Sequence, residues 1–478
     1  MHGDKQTSFY DFHPVLNTDI QRRKMLQRIL YLSRESIANC CMQLKPSSYL
    51  SIGATYNRLV RENKVRPQTE PILVLESYGR VLAKDVISRV NIPAYDSSYM
   101  DGFAVSANEI RDASDSNPIT LKIAKKKLSG KVQSGRLHSR QAYRIFTGGY
   151  LPHGTDAVVP VEAVQAVSGD GIRILDSVQK GAFVSASGTD VRKGSLLLNR
   201  GNVLRGQDVA LLAMIQINRV AVYRKPRVAI IPTGDELTDN LDETEGGKTV
   251  NTNTHVISRL VQESGGICLD LGITPDDVNK IRDKIKFALE QTDITITTAG
   301  SSMGEYDVVE ESINSLGRPG VLVHGVRLDR GRVTGVGVLR GKPVIMLPGP
   351  IQGAVNAFIV FVQPLLRYLS GLPQYRGPRL VGTLTEKWEA RKKFRHFTKI
   401  LHVNAWLSRE GSIKAAPVTG ETALMTVLTK ANGYLLIPEM TTVIEVGEKV
   451  CINLLPGLSF ASGHSVDFLR RIKLPRNT

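Results

Sequence analysis

The sequence predicts a multidomain α/β protein, and three observations carry that prediction. Short apolar, β-branched runs at 228–231, 294–297 and 344–347 alternate with helical stretches and each breaks into a turn-rich loop, the pattern of buried parallel strands. Residues 93–178 read as short alternating runs punctuated by Gly and Pro, which indicates a compact β-rich module. Residues 374–458 are again strand-like and proline-punctuated, which predicts a small β-barrel.

Taken in order, residues 1–45 form a polar, basic extension with a loosely helical stretch at 19–42. Helices are expected at 51–62 and at 73–82, the second leading into Lys84-Asp-Val-Ile-Ser88. Inside the β-rich module, Ala142-Tyr-Arg-Ile-Phe146 runs into the turn Thr147-Gly-Gly149. Spaced turn glycines follow at 181–206, then a helix at 208–215. The α/β unit covers 225–372. Its first helix, 254–264, gathers Val256, Ile257, Leu260 and Val261 on one face and stops at Gly265-Gly266. Residues 355–369 are the most hydrophobic stretch, but Gln363, Pro364 and Arg367 interrupt it and it is too short to span a bilayer, so it reads as a buried helix. No repeat of solenoid length is present.

At 478 residues the chain is long enough for roughly three domains. A hydrophobic content of 42% and a charged content of 22% are those of an ordinary globular protein. Cys40, Cys41, Cys268 and Cys451 have no zinc-type spacing, and with no apolar leader after Met1 the expectation is a cytoplasmic protein with reduced thiols and no membrane segment. The net charge of +17 favours anionic substrates, which a basic surface steers into a cleft. The densest basic clusters, Arg391-Lys392-Lys393-Phe394-Arg395 and Arg470-Arg471-Ile-Lys473, belong to no recognisable nucleic-acid-binding motif, so nucleic acid is not an expected partner.

Parallel α/β sheets bind ligands outside the carboxyl ends of their strands, which places the candidate site. There, Pro232-Thr-Gly-Asp-Glu236 offers Thr233, Gly234, Asp235 and Glu236 for substrate or magnesium. Gly300-Ser-Ser-Met-Gly304, leading to Asp307, presents free backbone N–H groups to an oxyanion, with Gly300, Ser301, Ser302 and Gly304 as its contact residues. Pro348-Gly349 ends the third run. Tyr95-Asp-Ser-Ser-Tyr-Met-Asp101-Gly-Phe-Ala104 sets two acids about a tight turn.

In their order along the chain these segments resemble one family, the molybdopterin molybdotransferases of the MoeA and gephyrin E-domain group. The resemblance covers about 50–458. It rests on 93–104, on Thr147-Gly-Gly-Tyr-Leu-Pro-His-Gly-Thr-Asp-Ala-Val-Val159, on Gly188-Thr-Asp190 with Gly194, on Pro232-Thr-Gly-Asp-Glu-Leu237, on Asn253, on 300–307, and on Gly341-Lys-Pro-Val to Leu347-Pro-Gly349. It implies a segmented linker domain (46–92 and 179–223), a β-rich insertion (93–178), a three-layer molybdopterin-binding α/β domain (224–373) and a C-terminal β-barrel (374–460), followed by a basic tail (461–478). It further implies a homodimer in which the insertion of one subunit reaches the α/β cleft of the other, and an upstream molybdopterin adenylyltransferase that supplies the substrate. The implied reaction inserts molybdate, or tungstate, into adenylylated molybdopterin with release of AMP, assisted by Mg2+. The family's functional carboxylates map onto Asp101, Asp190, Glu236 and Asp307, with Asp101, Glu236 and Asp307 as metal ligands.

Carboxylates alone would repel such anions, so a divalent cation must reverse that sign and basic groups must hold the oxyanion. Arg327, Arg330 and Arg332, with Lys342 behind them, are the candidates. The chain departs from the family at Asp329-Arg330-Gly331-Arg332-Val333, where Lys-Pro-Gly-Lys-Pro is common, at Pro350-Ile351, at Ala299 and at Asn251. The alternative reading is a molybdopterin-binding scaffold without catalysis; a regulator acting through a basic N-terminal arm is weaker, for want of a helix-turn-helix.

Overall fold

The structure is a computed structural model, which describes residues 49–124, 137–167, 169–242, 247–298, 307–372 and 379–455. The expected helix at 19–42, Cys40 and Cys41, the basic tail, Ala299 and the contact residues Gly300, Ser301, Ser302 and Gly304 lie outside the described residues. The chain forms two compact units, one of residues 69–223 and one joining the segment before 69 to the segment after 223.

In the first unit, Thr69–Leu73 pairs antiparallel with Arg219–Tyr223, and a core of Leu82, Val86, Val191, Leu198, Leu212 and Val222 lies beside this ribbon. The helix expected at 73–82 is absent. The strand runs to Leu73, a single 3-10 turn covers Val74–Glu76, and Gly79 takes φ +72. Its apolar residues never gather on one face, since Leu75 and Tyr78 are exposed, and the ladder to Arg219–Tyr223 claims the chain first. The helix expected at 208–215 is Gly206–Met214, begun earlier because Asp208 reaches back to the Arg205 N–H at 2.9 Å. The insertion is a six-stranded sheet running Ala157–Pro160, Gly102–Val105, Gln141–Ile145, Ile119–Ile123, Gly171–Ile174, Val164–Val167. Phe103, Val105, Ile110, Leu121, Ile172 and Ile174 fill its core.

The second unit begins with helix α1 (Ile52–Glu62), whose N-cap Ser51 accepts from the Ala54 N–H. The linker segment was expected to include this helix. It packs in the α/β core instead, because Tyr56 and Leu59 are buried against Val338, Phe358 and Phe361. The central sheet contains β1 (Arg227–Pro232), β2 (Ile267–Asp270), β3 (Ile294–Thr298), β4 (Gly320–His324), β5 (Gly335–Leu339) and β6 (Lys342–Leu347), ordered β2-β1-β3-β6-β5-β4. β2, β1, β3 and β6 are parallel, and β5 runs antiparallel to both β6 and β4. Helices α2 (Thr252–Glu263), α3 (Val278–Gln291), α4 (Val308–Ser315) and α5 (Ile351–Ala357) cover it, with separate cores of buried residues about Ile230 and Phe358 and about Ala229 and Met346. α2 starts two residues before the expected 254, because Asn251 caps it by accepting from the Thr254 N–H.

The buried helix expected at 355–369 is interrupted. α5 passes into a π-helical turn, Phe358–Val362, and then into Gln363–Leu369. Pro364 has no N–H to offer the Val360 carbonyl four residues back, and the Tyr56 hydroxyl donates to that carbonyl at 2.8 Å. The C-terminal strands β7 (Arg379–Leu384), β8 (Lys399–Leu407), β9 (Ile413–Pro417), β10 (Gly433–Ile437) and β11 (Lys449–Leu454) close into a barrel ordered β7-β9-β8-β10-β11. Leu401, Val403, Ala415, Leu435 and Ile452 fill it.

Candidate functional site

Strand register brings the loops together. Pro232 pairs with Thr298 and Thr298 with Leu347, so β1, β3 and β6 end side by side. The Thr233 N–H donates to the Thr298 carbonyl at 2.9 Å, and the Gly234 N–H donates to the Thr274 carbonyl beyond β2. Gly234 sits at φ +150, and a Cβ there would fall 2.6 Å and 2.7 Å from the Glu236 carboxylate oxygens. Only glycine lets that exposed carboxylate fold back over the turn.

Asp307 caps α4. One carboxylate oxygen accepts from the Val309 and Glu310 N–H groups, each at 3.0 Å. The other, Oδ2, is buried with no hydrogen-bond partner among the described residues, 3.7 Å from His324 Nε2. His324 in turn bonds Glu310 through Nδ1. Burial pushes the Asp307 carboxyl above its ordinary range, against the capping N–H groups and His324.

The loop after β2 supplies Asp276, a residue the sequence reading missed. Its carboxyl is raised by desolvation and then by the charges of Glu236, Asp235 and Asp307, so all four acids stand within Coulombic reach. Lys284 shapes this loop, its ammonium donating to the Leu271 and Gly272 carbonyls. The same signal that marked β1 and β3, a strand breaking into a Gly- and acid-bearing loop, was present in Leu271-Gly-Ile-Thr-Pro-Asp276.

On the other side of the carboxyl edge, Asn253 donates from Nδ2 to the Gly349 carbonyl at 2.8 Å and fixes the Pro348-Gly349 turn. Arg330 lies between β4 and β5 at φ +56, a region that side-chain-bearing residues rarely occupy. Asn356 holds its carbonyl at 3.2 Å and Gln352 accepts from its guanidinium at 3.0 Å. Proline has φ fixed near −65°. The backbone here therefore cannot be that of a loop with Pro in the place of Arg330.

Arg330 lines a cavity of about 280 Å³ together with Asp329, Gln352 and the barrel residues Arg391, Lys399 and His402. Desolvation lowers the pKa of Arg330 and of Lys399, and brings His402 down to about 4, so His402 is neutral. Asp329 pairs with Arg391. Arg332 lies over the Phe394 ring at 5.9 Å, and Arg391 and Lys393 lie over the same ring at 4.4 Å and 5.1 Å. Arg327 is partly committed to Glu439, at 3.5 Å.

Lys342 needs correction. It opens β6 at the edge opposite the loops, and its ammonium donates to the Leu289 and Thr292 carbonyls at the end of α3. It is a helix-end cap, not a neighbour of the arginines. Asp101 and Asp190 fall in the first unit. Thr147 donates to Asp101 from N–H and hydroxyl, at 2.7 Å and 2.8 Å, which holds that exposed carboxyl below its usual range. Asp190 is exposed, and its N–H donates to the Ile92 carbonyl. Arg391 stood out only as part of a basic cluster, and Gln352, Asn356, Lys399 and His402 carried no local signal, because their roles come from packing barrel against sheet.

Acids and a basic cavity thus flank the carboxyl edge of a parallel-centred α/β unit that is joined to a closed barrel. Residues 50–215 match the MoeA N-terminal region (domain I and II), 229–368 the probable molybdopterin binding domain, and 381–455 the MoeA C-terminal region (domain IV). The molybdopterin molybdenumtransferase of Bacillus subtilis is 32% identical over 394 residues, covering 81% of this chain and 90% of that protein. That of Staphylococcus aureus is 28% identical over 433 residues, covering 90% and 97%. The crystal structure of the molybdopterin biosynthesis MoeA protein from Pyrococcus horikosii superposes with a TM-score of 0.74 at 29% identity, covering 86% of this chain and all of that one. This chain belongs to the MoeA family.

Proposed function

We propose that this chain is a molybdopterin molybdenumtransferase of molybdenum cofactor biosynthesis, taking adenylylated molybdopterin and molybdate and releasing AMP. The observation that carries the proposal is the buried Asp307 Oδ2, without a hydrogen-bond partner among the described residues, in an acid set where Glu236 and Asp307 both reach Asp276. Burial and three neighbouring acids raise the Asp276 carboxyl, a charge balance that a cation would relieve, and a phosphoryl-bearing substrate brings one.

Among the described residues no three His, Cys, Asp or Glu side chains form a ready metal cage. Magnesium does not need one, since it commonly takes one or two carboxylates and completes its shell with water and phosphate oxygens. The donor set fits: Glu236 and Asp307 would hold the ion, with Asp276 behind them. Magnesium bound there supplies charge neutralisation for the phosphoryl group from which AMP departs. The protein's own residues do the rest. Asp307 is fixed by the α4 N-terminus, Gly234 leaves room for Glu236, and Arg330 with Arg391 and Lys399 holds an oxyanion in a partly desolvated cavity. Asp101 and Asp190 complete the proposed acid set from the insertion and linker, in a homodimer supplied by an adenylyltransferase in the cytoplasm. No helix among the described residues is long and apolar enough to cross a membrane.

The test supplies adenylylated molybdopterin, molybdate and magnesium and follows AMP. Molybdate-dependent release is expected from the wild type and not from Glu236→Gln. Equal release by both removes the assigned acids, and no release by the wild type moves the reading to a scaffold. Replacing molybdate by tungstate in the same assay decides between the two metals.

A further inference from the structure

The cavity between sheet and barrel holds its own anion. Asp329 and Arg391 both line it, and their side chains are paired with 12% and 42% of their surface exposed. The pair is not the sole link between loop and barrel. The backbone also joins them, through Asp329 N–H to Thr398 carbonyl at 2.8 Å and Thr398 N–H to Arg327 carbonyl at 3.0 Å. Burial pulls down the pKa of Arg330 and of Lys399, and Asp329 is among the groups that hold both up. One carboxylate thus serves three cations. The remaining lining pair, Lys387 and Glu389, is satisfied within itself at 2.9 Å, and Lys387 also meets Glu445.

We propose that Asp329 is a built-in counter-anion: its carboxylate occupies Arg391 until an oxyanion displaces it, and it thereby limits how tightly the cavity takes molybdate. This rests on the cavity being the oxyanion side of the transferase site. The physical reason is competition. An incoming dianion gains Arg391 only after Asp329 lets go, and it then shares a low-dielectric space with that like charge. The consequence for turnover is an oxyanion held loosely enough to be passed on. Asp329 is a specificity- and affinity-setting residue here and touches no reacting atom.

Equilibrium dialysis of molybdate against the full chain tests this, with sulfate as a second probe. Asp329→Asn is expected to bind molybdate on the order of tenfold more tightly than the wild type, as for one removed like charge at contact range. Asp329→Ser is expected to do the same, which guards against a local effect of the amide. In an Arg391→Gln background, Asp329→Asn should tighten binding less than it does in the wild type, as coupled partners do in a double-mutant cycle. Binding that is unchanged or weaker in both Asp329 variants, with unaltered melting temperatures, overturns the inference. Arg330→Gln separates this from the parent reading. If it weakens molybdate binding while the Asp329 variants leave it alone, only the counter-anion is lost; if saturable binding is absent or indifferent to Arg330→Gln, both fall.

Discussion

The two sides of the carboxyl edge solve opposite electrostatic problems. After β1, β2 and β3 the loops bear Asp235, Glu236, Asp276 and Asp307; burial and then the charges of the other three raise the Asp276 pKa, and one Asp307 oxygen is buried without a hydrogen bond among the described residues. Beside β4, β5 and β6 the fold supplies Arg330, Arg391 and Lys399 and has paired one of them with Asp329. Sheet order puts the loops bearing Asp235, Glu236 and Asp276 at the β2 end and the Arg330 loop at the β4 end, while Asp307, after β3, reaches His324 at the end of β4. On the proposed reading the acid side takes an external cation. The basic side carries an internal anion that a substrate must replace. An enzyme that joins an oxyanion to a phosphoryl-bearing partner needs both kinds of preorganised charge, each incomplete until its ligand arrives.

The sharpest way to break this contrast is at Glu236. Glu236→Gln keeps the shape of an exposed side chain and is expected to lower AMP release by about a hundredfold or more, as loss of a metal-supporting carboxylate does. Gly234→Ala should approach that loss, on the order of tenfold to a hundredfold, because its Cβ would displace the same carboxylate. A Gly234→Ala enzyme with normal rates would mean that the folded-back carboxylate is irrelevant.

Asp307 separates charge from structure. Burial raises its pKa, so the folded protein binds that proton more tightly than the unfolded chain. The associated stability is present below the unfolded value of about 3.9 and is lost as pH rises through the raised folded value. Asp307→Asn should therefore be inactive yet more stable than wild type in urea melts near neutral pH, with the gain vanishing below about pH 4. Asp307→Ala also forfeits the α4 cap, at about 1 kcal/mol. A less stable Asp307→Asn would show that the carboxylate is a structural ion partner.

Smaller effects sharpen the basic side. Phe394→Leu removes the ring that three cations share and should raise the molybdate Kd about fivefold in dialysis, with kcat little changed. Lys342→Met is the control. It should leave AMP release within about twofold while costing about 1–2 kcal/mol in denaturant melts, since two carbonyls at the end of α3 lose their donor.

Local patterns along the chain were enough for much of this. Apolar β-branched runs marked β1, β3 and β6, because buried strands need side chains that pack on both faces. The helix expected at 51–62 is α1, and Gly-Pro punctuation marked the insertion and the barrel. The acids Glu236 and Asp307 were legible because an acid just beyond a parallel strand has one geometric destiny. The missing helix at 73–82 and the reassigned α1 show the limit, since pairing with a distant strand and burial of Tyr56 on Phe361 are decided by partners about 150 and 305 residues away. Lys342 shows it again: charge can be read from sequence, but which end of a strand bears it depends on where that strand begins. The basic cavity, with Asp329 seated on Arg391, exists only once barrel meets sheet. No local pattern encodes that meeting, because its energy comes from contacts the unfolded chain never makes.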